Sequence, residues 1–263
     1  MHSFINIFGF SIPSYGLLIT IGLITANAIA FMVIHHRKDD INDFIILEAS
    51  GMLGAFLGSK LLYLLVSIRE IPWGSLTLSD FCQLMQGGFV FYGGLLGALF
   101  FIPLAGKLFQ IDAFSYLKNY IFILPFLHSF GRIGCFMAGC CYGIPYTGPG
   151  AVVFPDNSLA LSGISLFPIQ IVEAALLFCI FVILILLCIN QKEIYSVSVY
   201  LILYGIVRFL LEFLRYDQRR GFVFHLSVSQ WISISAKKIF FVFYAILCCR
   251  LLCCCIWCTV PNR

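Results

Sequence analysis

Residues 168–189 read PIQIVEAALLFCIFVILILLCI, and Glu173 is the one charged side chain among them. An apolar run of this length, rising about 1.5 Å per residue as a helix, matches a hydrocarbon core roughly 30 Å thick. It sets the fold class as helical and membrane-spanning. Pro168 suits the first helical turn, where its missing N–H costs nothing. Gln170 and Glu173 are three apart and therefore share a face. Cys179 and Cys188, deep in the run, read as small apolar packing groups.

Similar runs lie on both sides, at about 15–34, 44–67, 88–108, 117–136 and 197–214, with a last span expected within 229–258. The 263-residue chain is 61% hydrophobic and 11% charged, with a mean hydropathy of +1.01. A soluble domain carries about 25% charged residues. A barrel would instead alternate in segments of about ten residues. The expectation is an all-α integral membrane protein of about seven transmembrane helices, one polytopic domain over residues 1–263. The formal charge of +4 and the lack of a long basic tract argue against a nucleic-acid partner. Residues 237–263 are irregular, with six cysteines in Cys248–Cys258 at no metal-ligand spacing, and no metal or cofactor is expected.

Residues 1–14 lack Lys and Arg, and Arg37 and Lys38 follow the first run. The segment fits a cleaved signal poorly and reads as a first helix with its N-terminus outside. In the second run, Gly54 and Gly58 form a GxxxG pair suited to close helix contact. Glu48 and Lys60 lie in the same run and read as an interfacial carboxylate and a snorkelling amine.

The polar content of the remaining spans is more informative. Residues 128–143 read HSFGRIGCFMAGCCYG, which puts Arg132 between Gly131 and Gly134 near membrane depth. A guanidinium there costs roughly 3 kcal/mol or more, so it faces a partner or a wet cavity. Two readings stand: a seat for a lipid phosphate, or a glycine packing stripe with an arginine snorkelling outward. Tyr92 precedes Gly93 and Gly94 at a helix mouth, as an aromatic-belt residue or as a hydroxyl aimed into a site. Tyr204, Arg208, Glu212 and Arg215 follow one another at spacings of 4, 4 and 3, so they line one side of a helix. Arg208 and Glu212 can pair at i,i+4, as a structural ion pair or as part of a site.

In order and spacing these motifs resemble the phosphatidylglycerol–prolipoprotein diacylglyceryl transferase family over about residues 13–235. The resemblance rests on Tyr15-Gly16, Gly87-Gly88 with Tyr92 to Gly97, Gly131 through Gly143, Pro168-x-Gln-x-x-Glu173, and Tyr204 through Arg215. It implies a multi-pass helical bundle in the bacterial cytoplasmic membrane, with a lipid-accessible central cavity. It implies transfer of a diacylglyceryl group from phosphatidylglycerol to the lipobox cysteine thiol of a prolipoprotein signal peptide. A thioether forms and glycerol phosphate leaves. Arg132, Arg208, Glu212 and Tyr92 are then the catalytic candidates. Tyr15, Gly93, Gly94, Gly131, Gly134, Cys135, Gly143, Gln170, Glu173 and Tyr204 are the candidates for substrate binding. Membrane lipid is the other expected partner, and a monomer the expected state.

The chain departs from the family pattern at three places. Tyr92 stands where the family commonly has a histidine, Cys135 for an asparagine and Cys140 for a glutamate. A phenol, ordinarily titrating near about 10, does not simply replace a histidine base. Two other functions fit parts of the pattern. A lipid-binding or transporter-like protein would use the polar stripe and glycine-broken helices as a path. A divergent relative would carry thiol chemistry at Cys140 and Cys141.

Overall fold

A computed structural model describes residues 4–7, 10–68, 77, 79, 90–156 and 158–216, with the backbone of 222–223 and 226–227. A short hairpin, β1 (Phe4–Ile7) and β2 (Phe10–Pro13), leads into α1 (Ser14–Arg37). Helices α2 (Ile41–Val66), α3 (Phe91–Phe109), α4 (Ala113–Tyr120) and α5 (Ile123–Ala138) follow. After the small pair β3 (Val152–Val153) and β4 (Ser165–Leu166) come α6 (Ile169–Ile189) and α7 (Ser196–Glu212). Phe222–Val223 pairs antiparallel with Leu226–Ser227.

Among the described residues, five helical segments are long and apolar enough to cross a membrane, and α4 with α5 makes a sixth if the bent pair is one span. The protein is an all-α, multi-pass membrane protein. The span expected within 229–258 lies outside the described residues. The run expected as one helix over about 117–136 is instead two helices meeting at 53°. Pro125, in the first turn of α5, has no amide hydrogen to continue a ladder from α4, and the chain turns at Ile121 and Phe122.

The chain divides into two compact units, Met1–Ala30 with Lys118–Arg263, and Phe31–Leu117. In the second unit α2 and α3 pack antiparallel through glycines. A Cβ at Gly58 would collide with the Gly93 carbonyl, and one at Gly97 with that of Gly54. The GxxxG pair thus meets glycines on α3 backbone to backbone, the contact expected where small residues must replace hydrophobic drive in lipid. Gly93 and Gly94 both face α2, while Tyr92 is partly exposed. Lys60 turns inward rather than snorkelling; it is buried, with its ammonium 5.3 Å from the Tyr63 ring centroid. Asp40 caps α2 through Asn42 N–H at 2.7 Å. The Tyr116 hydroxyl, on α4, donates to the Asp40 carbonyl at 3.0 Å and accepts from its N–H at 3.1 Å.

In the first unit α5 is the central helix. Its glycine side takes the first part of α1, antiparallel. A Cβ at Gly22 would lie 2.8 Å from Phe130 Cβ, and one at Gly134 2.8 Å from Tyr15 Cδ2. Its aromatic side packs on α6, with Phe126 and Phe181 centroids 4.8 Å apart, and Phe122, just ahead of the helix, lies 6.2 Å from Phe181. Leu177 and Leu184 of α6 are fully buried.

The glycine contact makes a direct prediction. Gly97→Leu should cost about 2 kcal/mol or more by overpacking, read as a lower unfolding midpoint in detergent. Gly16→Ala, at a position with nothing within 4 Å, should leave the midpoint unchanged.

Candidate functional site

In the first unit, α5, α6 and α7 carry buried and partly buried charged groups among the described residues. His128, Arg132 and Cys135 recur at i, i+4 and i+7, so they lie along one face of α5. Arg132 Nη2 is 3.0 Å from Glu173 Oε1 on α6, with the two side chains 14% and 2% exposed. This ion pair crosses two helices. On α7, Arg208 Nη2 is 2.6 Å from Glu212 Oε2, and their side chains are 7% and 8% exposed. The i,i+4 spacing read from the sequence therefore forms the pair it suggested.

Two aromatic rings lie near both cations. The His128 and Tyr204 ring centroids are 5.4 Å apart at 65°, and Tyr200 stacks on Tyr204 at 5.8 Å and 5°. Both guanidiniums are close enough to interact electrostatically with His128 and with Tyr204. Arg132 and Arg208 thus converge on one ring pair from separate helices. Arg132 Nε finds no acceptor among the described residues. The same guanidinium pairs with Glu173 and lies within hydrogen-bond reach of the Tyr204 hydroxyl, so its Nε is the donor left to offer an anionic ligand.

Gln170 sits one turn before Glu173 on α6, and both are buried. Its Nε2 donates to the Cys140 carbonyl at 2.8 Å. The reason Cys140 lies there is local. Gly139 caps α5 in the left-handed conformation, φ 72, and its N–H points back to the Cys135 and Phe136 carbonyls. Cys140 N–H also donates to the Cys135 carbonyl, at 3.0 Å. The chain reverses over the end of α5 and brings Cys140 and Cys141 back beside Cys135. The three Sγ atoms lie within 4.8 Å of one another, as free thiols.

Hydrogen bonds from the Cys135 and Cys140 thiols hold the Cys141 thiol below its ordinary range, against burial, and Arg215 and Arg132 add to this. Hydrogen bonding with the Cys135 and Cys141 thiols, then burial, pushes the Cys140 thiol up.

The polar stripe of α7 is shorter than its spacing suggested. The helix ends at Glu212, and Arg215 has left it to form an antiparallel bridge with Gly143. Ile144 N–H donates to the Leu214 carbonyl and Phe167 N–H to the Ile144 carbonyl, each at 3.0 Å. Residues expected as a plain loop over 143–166 therefore include short strand pieces. Gly143 is required there, since a Cβ would meet the Phe167 carbonyl oxygen at 2.6 Å.

Of the residues singled out by sequence, Arg132, Arg208, Glu212, Tyr204, Gln170, Glu173, Gly131, Gly134, Cys135, Gly143 and Tyr15 all belong to this unit, and Tyr92, Gly93 and Gly94 to the other. Sequence reasoning did not single out His128, although it opens the 128–143 motif one turn before Arg132. Nor did it pair Arg132 with Glu173. The signal for that pair was a lone carboxylate in an otherwise uncharged span, which demands a cation from elsewhere.

The pair generates a stability prediction. Glu173→Ala should destabilise the protein by about 3–5 kcal/mol by stranding a buried guanidinium. Arg132→Met with Glu173→Leu should recover most of the loss, both measured by unfolding in detergent.

The model of the family described as prolipoprotein diacylglyceryl transferase matches residues 2–248. A phosphatidylglycerol–prolipoprotein diacylglyceryl transferase of Clostridium tetani is 36% identical over 234 residues, covering 87% of this chain and 90% of the relative. The second such transferase of Clostridium perfringens is 34% identical over 231 residues, 87% and 88% of the two chains. That of Finegoldia magna is 28% identical over 232 residues, covering 88% and 89%.

Proposed function

The chain belongs to the prolipoprotein diacylglyceryl transferase family, and from that premise we propose that it moves the diacylglyceryl group of phosphatidylglycerol onto the lipobox cysteine thiol of a prolipoprotein signal peptide. It works as a monomer in the bacterial cytoplasmic membrane. What supports this reading is that Arg132 and Arg208, carried by separate helices, both interact electrostatically with His128 and Tyr204, whose rings are 5.4 Å apart.

The reaction breaks the bond between a glyceryl carbon and a phosphate oxygen, and negative charge grows on the departing glycerol phosphate. Two fixed guanidiniums in a low-dielectric setting stabilise that charge far more than water would. Arg132 offers the incoming phosphate its Nε, which finds no acceptor among the described residues. Glu212 holds Arg208 in place, at 2.6 Å. Glu173 does the same for Arg132, and Gln170 fixes the backbone at Cys140. Gly131 and Gly134 give α1 close access to α5, which sets Tyr15 beside the site. Gly143 ties the segment after α5 to the end of α7 through its bridge to Arg215. Tyr92 as a catalytic group and Gly93 and Gly94 as substrate-binding residues rest on the sequence resemblance alone.

The test is transfer from labelled phosphatidylglycerol to a lipobox peptide. The unmodified chain should yield labelled peptide and glycerol phosphate. Arg132→Ala and Arg208→Ala should each lower the rate about 100-fold or more while the protein still inserts, as loss of one charge-stabilising donor does elsewhere. Full activity in either variant would overturn the assigned role. Tyr92→His should raise the rate by supplying a base of suitable pKa.

A further inference from the structure

The mechanism above leaves one requirement open. A thiol attacks well only as a thiolate, and an ordinary cysteine titrates near about 8.5. Among the described residues the chemistry best suited to this need is the cysteine trio at the end of α5. Cys135, Cys140 and Cys141 present three sulfurs within 4.8 Å of one another. A tetrahedral zinc ion with Zn–S bonds of about 2.3 Å needs sulfurs about 3.8 Å apart, so these are at most about 1 Å further apart than the ion requires.

The trio is also built, not incidental. Gly139 is at φ 72, and a Cβ there would lie 2.7 Å from Ser158 Cβ. Cys141 holds φ 58, a conformation that costs a side-chain-bearing residue energy unless the surroundings fix it. The Cys140 carbonyl is tied down by Gln170. Three backbone constraints thus converge on placing three thiols together.

We propose that Cys135, Cys140 and Cys141 bind one zinc ion as a trithiolate, and that the substrate cysteine thiol takes its fourth position. Three protein ligands with one open position is the pattern of catalytic zinc, whereas structural sites close with four. The proposal rests on the transferase reading for the identity of that fourth ligand. Coordination displaces the thiol proton to solvent, leaving a metal-bound thiolate at neutral pH. The sulfur attacks the glyceryl carbon that bears the phosphate. The S–C bond forms, the C–O bond breaks, and its electron pair leaves on the phosphate oxygen. Nothing is oxidised or reduced. The thioether product carries no charge, binds zinc weakly and departs. Cys135 lies three residues after Arg132 on α5, so the metal-bound sulfur and the phosphate-binding guanidinium share one face of that helix. In this chain the trio supplies the thiol activation that Tyr92 does not.

The test uses the full-length protein in detergent, stripped with a chelator and titrated with Co²⁺ and then Zn²⁺. One Co²⁺ per chain should bind with intense sulfur-to-metal charge-transfer absorption, and Zn²⁺ should displace it. Cys135→Ser, Cys140→Ser and Cys141→Ser should each weaken zinc binding roughly 100-fold or more. A lipobox peptide should shift the Co²⁺ spectrum, and its Cys→Ser version should not. Zinc should restore transfer to the stripped enzyme. Absent charge-transfer absorption, or equal Co²⁺ binding in the triple Ser variant, would overturn the site. A spectrum unmoved by the peptide would overturn the fourth-ligand role. Full transfer by the stripped enzyme would overturn the metal's part and leave the transferase reading standing. A metal-loaded protein with the expected spectrum but no transfer would sink the transferase reading and leave the trithiolate standing.

Discussion

Two buried guanidiniums, each needing a carboxylate, set the terms for the rest of the first unit. Removing an ion from water costs several kcal/mol even after the protein relaxes, so neither arginine is tolerable alone. The two solutions differ. Arg208 and Glu212 are neighbours on one helix and arrive paired as soon as α7 forms. Arg132 and Glu173 lie on different helices, so their pairing exists only once α5 and α6 have docked. The cross-helix pair therefore ties the register of α5 against α6 to the electrostatics of the site. A shift of one turn along either helix would separate cation from anion.

The packing around α5 follows from that arrangement. One side of the helix is glycine-rich and admits α1 at close range, with Tyr15 against Gly134. Another side carries Phe126 into the rings of α6, beside Phe122 just ahead of the helix. His128 reaches toward α7 and meets Tyr204 edge-on. A helix committed on three sides has little freedom to rotate, so Arg132 is aimed by packing as well as by charge. Preorganisation of this kind is what electrostatic catalysis requires, since donors that must first reorient lose most of their advantage.

Much of this was legible in the sequence, because membrane helices obey simple rules. Apolar length identified α1, α2, α3, α6 and α7 to within a few residues. Helical spacing identified the Arg208–Glu212 pair and the shared face of Gln170 and Glu173. The unread parts depend on geometry that periodicity does not encode. A hydropathy run does not register a proline-initiated break at Ile121 and Phe122. A stripe extrapolated to Arg215 assumes that the helix continues, yet it ends at Glu212. The meeting of three thiols depends on one left-handed glycine reversing the chain, and the spacing of Cys135 from Cys140 carries no hint of that turn. The Arg132–Glu173 pair joins residues 41 positions apart by number, and only tertiary docking reveals it.

The bridge at Gly143 has a consequence for how such sequences diverge. Residue 143 is pinched between the carbonyl oxygens of Phe167 and Leu214, at 2.6 and 3.0 Å from where a first side-chain carbon would sit. Three stretches far apart in the chain share that gap. A homologue bearing anything larger there must spread all three, so a change at this position is expected to travel with compensating changes beside 167 and 214. Lineages in which the glycine is kept have no such pressure, and their two flanking segments are free to drift independently.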